Sequence, residues 1–200
     1  MHSYSINTEE RKYILICLAF VSIFLSWICH RLLVNRQISL AWWVESPSVL
    51  FFYGLLFVTF DRWFWRYFKK IRLVKTLDLA GKWTGILKTS FDDQTSELKV
   101  SLKIVQTWTS IKILLTTDQS LSVSETASVV IDVRGDSYLT YQFINEPKSS
   151  SATTMSIHRG TAKLVFDEKK KSLDGEYYSG RGRQNFGSIR VVKECVVQLH

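Results

Sequence analysis

Two N-terminal transmembrane helices followed by an eight-stranded antiparallel up-and-down β-barrel is the architecture this sequence predicts. Three observations carry that expectation. Residues 13–29 contain no charged side chain over 17 positions. A second apolar run, residues 47–60, ends in a collar of aromatic and basic side chains. From residue 78 onward the hydrophobic period changes to two, and turn-forming residues punctuate it.

The first run, YILICLAFVSIFLSWIC, would span about 25 Å as a helix, enough for a bilayer core of roughly 30 Å once its flanks are recruited. Arg11 and Lys12 precede it, and His30 and Arg31 follow it. A secretory signal peptide has similar flanks, but the segment after the run is bulky and offers no small-residue cleavage pattern. This places an N-terminal cytoplasmic segment at residues 1–12, a first transmembrane helix at 13–30 and a short extracytoplasmic loop at 31–46. The second helix is expected over 47–68, with Pro47 in its first turn, where a missing N–H costs nothing. Trp63 and Trp65, with Arg62, Arg66, Lys69 and Lys70, form the interfacial end, because amphipathic rings and snorkelling cations both favour the headgroup layer and membrane lipid. A buried helix pair in a soluble protein is the competing reading.

Formal charge is +8, but residues 1–75 hold ten Lys/Arg against four Asp/Glu, leaving sixteen against fourteen for the rest. The basic excess therefore belongs beside the membrane and argues against a surface for DNA or RNA. Six basic residues between Arg62 and Lys75, against Arg31 and Arg36 between the helices, orient both termini to the cytoplasm. Residues 69–77 form a basic juxtamembrane linker. Cys17 and Cys29 lie about 18 Å apart on one helix, too far for a disulfide, and Cys195 stands alone.

Residues 78–200 are expected to form the barrel. Its strands fall at 81–91, 97–108, 111–117, 127–134, 138–145, 161–167, 175–178 and 188–197. The second is the clearest: Leu98, Val100, Leu102, Ile104, Gln106 and Trp108 share one face. Short connections favour hairpins, and closure removes exposed edges; an open sandwich is the alternative. Eight strands leave an interior for side chains or one small ligand.

Catalytic signatures, phosphate loops and metal-ligand spacings are absent from the sequence, so no catalytic residue, metal or cofactor is expected. Asp92 and Asp93 read as solvated turn residues. What remains is a binding-type constellation. Trp83, Trp108, Tyr141, Tyr177 and Tyr178 lie among strands, with Arg159, Arg181, Arg183 and Arg190 in the same region. Aromatic faces stack on bases, and Arg pairs with phosphates in fork geometry. The tryptophans equally suit a barrel core, and His158 equally suits a polar group at a strand start. Spacing alone leaves both open.

The order of segments carries more. Two short hydrophobic helices and a basic collar lead into LAGKWTG, then QTWTS, SVSETASV, LTYQFINEP, HRGTAKL and LDGEYYSGRGRQNFGSI. This order resembles the two-transmembrane, strand-rich effectors of the bacterial anti-phage system CBASS, which associate with CD-NTase enzymes. The resemblance implies a lipocalin-like barrel that senses a cyclic dinucleotide made by a partner CD-NTase. It also implies self-association into a homo-oligomer, disruption of the bacterial inner membrane and death of the infected cell. In that picture Trp83, Trp108, His158, Tyr178 and Arg181 match the family's positions, with Arg183 blurring the arginine spacing. A membrane-tethered carrier of an apolar molecule or lipid is the alternative, and a membrane-anchored enzyme is the weakest reading.

Overall fold

The computed structural model describes residues 1–36, 42–90, 97–131, 137–149, 156–180 and 185–194, and for residues 42–47 the backbone alone. The chain divides into two compact units, residues 8–76 and residues 1–7 joined with 77–200.

In the helical unit, α1 runs from Glu10 to Asn35, about 39 Å at 1.5 Å per residue. Among the described residues it is the one helix long and apolar enough to cross a membrane, and 6% of its most apolar window is buried. It begins earlier and ends later than residues 13–30, because Glu10 favours the positive N-terminal end of the helix and residues 31–35 continue the hydrogen-bond ladder. Helix α2 spans Trp42–Thr59. Pro47 is therefore its sixth residue and not in its first turn, which leaves the carbonyl four residues earlier without its usual donor. A π-turn follows at Phe60–Phe64, where the Trp65 N–H reaches the Phe60 carbonyl, and α3 continues as Trp65–Lys70. Ser26 Oγ and Ser48 Oγ are 2.5 Å apart between α1 and α2. The Glu10 carboxylate accepts hydrogen bonds from the Lys75 and Thr76 N–H groups and the Thr76 hydroxyl, tying the first turn of α1 to the chain that follows α3.

Among the described residues, the other unit is a closed barrel of nine strands, not eight. They are β1 His2–Ile6, β2 Gly81–Thr89, β3 Glu97–Gln106, β4 Ser110–Thr116, β5 Ser120–Ile131, β6 Ser137–Pro147, β7 His158–Asp167, β8 Ser172–Ser179 and β9 Phe186–Lys193. Strands β2 to β9 follow one another as antiparallel neighbours, and β9 returns to β2. The ninth strand comes from the N-terminal segment expected to be a simple cytoplasmic tail. β4 and β5 pair through Leu114–Thr116 and Leu121–Val123, then diverge at a bulge between Ser124 and Thr126. β1 fills the opening, antiparallel to β4 and parallel to β5. Five residues with one buried side chain, Tyr4, give too little period-two signal to announce a strand.

The inner face follows the alternation read from the sequence in β3, where Val100, Leu102, Ile104 and Gln106 are buried. Trp83, Leu139, Ala162, Leu164, Leu173 and Val191 are fully buried in the same core. Two connections repeat one device: Thr107 and Thr117 hydroxyls accept the N–H of Ser110 and Ser120, with the Thr N–H bonding back to the Ser carbonyl. The side-chain oxygen closes the turn.

Candidate functional site

Residues directly opposite in a ladder point to the same face of a sheet, so the strand register defines what each level of the barrel interior contains. Toward one end, Ser122 opposes Asn145, which opposes His158. One level deeper, Ser124 opposes Phe143, then Gly160, then Ser179. Deeper again lie Ala127, Tyr141, Ala162, Tyr177 and Gly187. Ser120, Ser122, Ser124, Asn145 and Ser179 are buried polar residues. A row of serines on the inner face, with Leu121 and Val123 on the outer, inverts the usual polarity of a barrel strand. Ser122 Oγ donates to Asn145 Oδ1 at 2.7 Å, and Ser124 Oγ accepts the Ile113 N–H at 2.9 Å.

The aromatic floor of this end depends on two glycines. A Cβ on Gly160 would lie 2.5 Å from Phe143 Cζ, and one on Gly187 would lie 2.8 Å from a Tyr177 ring carbon and 1.9 Å from the Lys88 carbonyl oxygen. Close approach of ring and backbone excludes any larger residue. Tyr141 and Phe143 ring centroids are 6.0 Å apart. Burial pushes the Tyr141 phenol well above its ordinary value, so it stays a neutral hydroxyl.

The opposite end is closed by packing and one buried amide. Trp83 donates its indole N–H to the Leu79 carbonyl at 3.0 Å and meets Phe166 edge-on. Gln106 accepts the Leu79 N–H at 2.8 Å and donates to the Leu77 carbonyl at 2.8 Å and the Tyr4 hydroxyl at 3.1 Å. Tyr4 donates in turn to the Trp108 carbonyl at 3.0 Å.

The sequence-derived site residues thus separate. Trp83 is fully buried in the barrel core at the end away from the polar levels, and Trp108 is buried in the β3–β4 connection at that same end. Tyr141 lies mid-barrel. His158 lies at the polar end, half-buried, with Nδ1 2.9 Å from the Ser156 carbonyl oxygen. Tyr178 points outward and is 60% exposed, since its register is odd with respect to the inner-facing Tyr177 and Ser179. Arg159 and Arg190 also face outward, paired with Glu125 and Asp174. The connection carrying Arg181 and Arg183 joins β8 to β9 at the polar end; the two arginines lie outside the described residues, as do Asp92, Asp93 and Cys195. Of the interfacial set, Trp63 is exposed, but Trp65 is fully buried with the Arg66 guanidinium 4.9 Å from its ring centroid, so it does not join an exposed aromatic belt. The polar levels themselves, Ser120, Ser122, Ser124, Asn145 and Ser179, are what the motif reading missed. The period-two serines of SLSVS were the available signal.

An apolar helical unit joined to a closed barrel with one polar inner end defines a membrane-anchored barrel protein. Residues 74–193 match the family model described as Cap15, cyclic dinucleotide receptor domain, and residues 12–66 match Cap15, TM helices. The chain is 33% identical over 186 residues to CD-NTase-associated protein 15 of Yersinia aleksiciae, covering 88% of this chain and 85% of that protein. It is 31% identical over 137 residues to the protein of the same name from Staphylococcus schleiferi, covering 68% and 71%. The chain belongs to the Cap15 family, CBASS-associated membrane proteins with a cyclic dinucleotide receptor domain.

Proposed function

We propose that the barrel takes up its cyclic dinucleotide at the polar end, and that this end selects the ligand. The observation that carries the reading is the inverted inner face of β5 and its registered partners, Ser122–Asn145–His158 above Ser124–Ser179. Hydroxyl and amide groups suit base edges and ribose, and the Tyr141, Phe143 and Tyr177 rings below them offer apolar contact for a base. The serine, asparagine and ring groups carry no charge, so compensation of the two phosphates falls to Arg181 and Arg183, which lie in sequence between β8 and β9, as fork donors. Trp83 and Trp108 then contribute to stability and not to contact.

The helices serve as a two-span anchor in the inner membrane with both termini cytoplasmic. Support comes from β1: residues 2–6 and residues 81–193 share one folded barrel, an arrangement that an even number of spans between them allows. Ligand binding drives self-association, and the gathered helices disrupt the bilayer. A tethered carrier of an apolar molecule fits less well, since an apolar cargo gains nothing from buried serines and an asparagine.

Calorimetry of the full-length protein in detergent against a panel of cyclic dinucleotides tests the site. Ser122→Ala and Asn145→Ala should weaken binding by roughly 5–30-fold, the equivalent of about 1–2 kcal/mol of hydrogen bonding, while Trp83→Phe leaves affinity within about twofold. Equal affinity of the two polar-end variants and wild type refutes the placement.

A further inference from the structure

The N-terminal strand lies outside both matched segments, residues 12–66 and 74–193, yet it occupies a full position in the barrel. Its seat is a fork. Above the bulge β4 and β5 pair with each other; below it Ser110 and Ile111 of β4 pair with Ser3 and His2, and Ala127, Ser128 and Val129 of β5 pair with Tyr4, Ser5 and Ile6. The tip of the wedge is held by one contact into the polar levels: His2 Nε2 lies 2.8 Å from Ser124 Oγ. Its other end is held by Asn7, whose amide donates to the Ile131 carbonyl and accepts the Ile131 N–H at 2.8 and 2.9 Å. Three residues later, α1 begins.

Resting on the polar-end reading, we propose that β1 is a removable ninth stave, and that ligand bound at the polar end unseats it by taking Ser124 from His2. Three features support this. Ser124 belongs both to the inner polar levels and to the seat of β1, so ligand and His2 compete for one hydroxyl. The strand is five residues long, and three of its five pairs are parallel, the less stable arrangement per residue. Finally, the seat can close without it. Carried past the bulge, the β4–β5 hairpin would oppose Ile111 to Ala127, both on the inner face, so an eight-stave barrel recovers the ladder hydrogen bonds with its core residues still inside. Two closures of one sequence make a bistable element, and ligand can bias it only through differential contact with the two states. Because β1 leads directly into α1, unseating it gives the ligand a covalent path to the membrane helix.

The test uses the full-length protein in nanodiscs of phosphatidylethanolamine and phosphatidylglycerol, with Cys17, Cys29 and Cys195 replaced by Ser and with S5C and S128C introduced. Ser5 and Ser128 are Cα partners in the parallel pair, within reach of a disulfide. Without ligand, mild oxidant should cross-link the pair rapidly. A cyclic dinucleotide shown by calorimetry to bind the same sample should slow cross-linking at least tenfold, and protein oxidised beforehand should bind it several-fold more weakly. Adding Ser124→Ala should slow cross-linking several-fold with no ligand present. An unchanged rate with bound ligand, or no effect of Ser124→Ala, overturns the inference while the site reading stands. Failure of every cyclic dinucleotide to bind overturns the site reading, and this inference with it; calorimetry reports that failure separately.

Discussion

Replacing Gln106 by Leu is the most informative single perturbation of the barrel. Gln106 is 4% exposed, and its amide bonds to Leu79 N–H, the Leu77 carbonyl and the Tyr4 hydroxyl. Leucine is close in volume, so packing changes little, but three hydrogen bonds vanish. Tyr4 keeps its bond to the Trp108 carbonyl and loses least. The Leu79 N–H and Leu77 carbonyl are left buried in an apolar wall, and each such orphan costs about 1–3 kcal/mol. The expected loss is therefore about 2–6 kcal/mol. With a urea slope of about 1.5 kcal/mol/M for a domain of this size, the midpoint should fall by roughly 1–4 M. Urea titration of the full-length protein in a mild detergent, followed by tryptophan fluorescence, reads this directly, since Trp83 and Trp108 sit beside the clamp. Tyr4→Phe should cost about 1 kcal/mol, and the double variant should lose less than the sum, because both act on one network. A Gln106→Leu protein within about 0.5 kcal/mol of wild type would refute the claim that this amide fastens the entry of β1 and the segment before β2 together.

Gly187→Ala sets a methyl against the Lys88 carbonyl and the Tyr177 ring and should cost about 2–3 kcal/mol of overpacking, measured by the same urea titration; a neutral effect would mean the strands separate easily there. Burial raises the Tyr141 phenol above its ordinary value, so the unfolded chain ionises first, near pH 10. Its contribution to stability is fully present below about pH 10 and declines as pH rises beyond it, and Tyr141→Phe should show a shallower decline in urea midpoint at alkaline pH. Arg159→Ala and Arg190→Ala remove exposed ion pairs and should change stability by less than about 0.5 kcal/mol and leave calorimetric affinity unaltered, because both side chains face outward.

What was legible in the sequence was whatever two physical signals could write strongly. A charge-free run announces a membrane helix, and the alternation of β3 announces a half-buried strand. β5 was half legible. Its second part, from Ala127, has ordinary polarity, while its first, Ser120 to Thr126, puts serines inside and aliphatics outside, so a search for an apolar inner face passes over it. β1 was invisible for a different reason: five residues form a strand here only because β4 and β5 diverge at a bulge and leave edges to pair with, a tertiary circumstance with no local trace. The site residues divided along the same line. Trp83 and Trp108 drew attention because tryptophan is rare and stacks on bases; both are buried at the barrel end away from the polar levels, where a large ring serves packing equally well. Tyr177 and Tyr178 are adjacent in sequence and opposite in direction, a distinction that depends on register, which composition cannot supply.

Photo-affinity labelling addresses the location of the site most directly. An azido-substituted cyclic dinucleotide, irradiated with the full-length protein and mapped by peptide mass spectrometry, should attach within residues 117–124, 143–147, 156–160 or 179–187, and excess unmodified ligand should suppress the label. Suppressible label confined to the closed end around Trp83 and Trp108, or to the outer face around Arg159 and Arg190, would contradict the polar-end site.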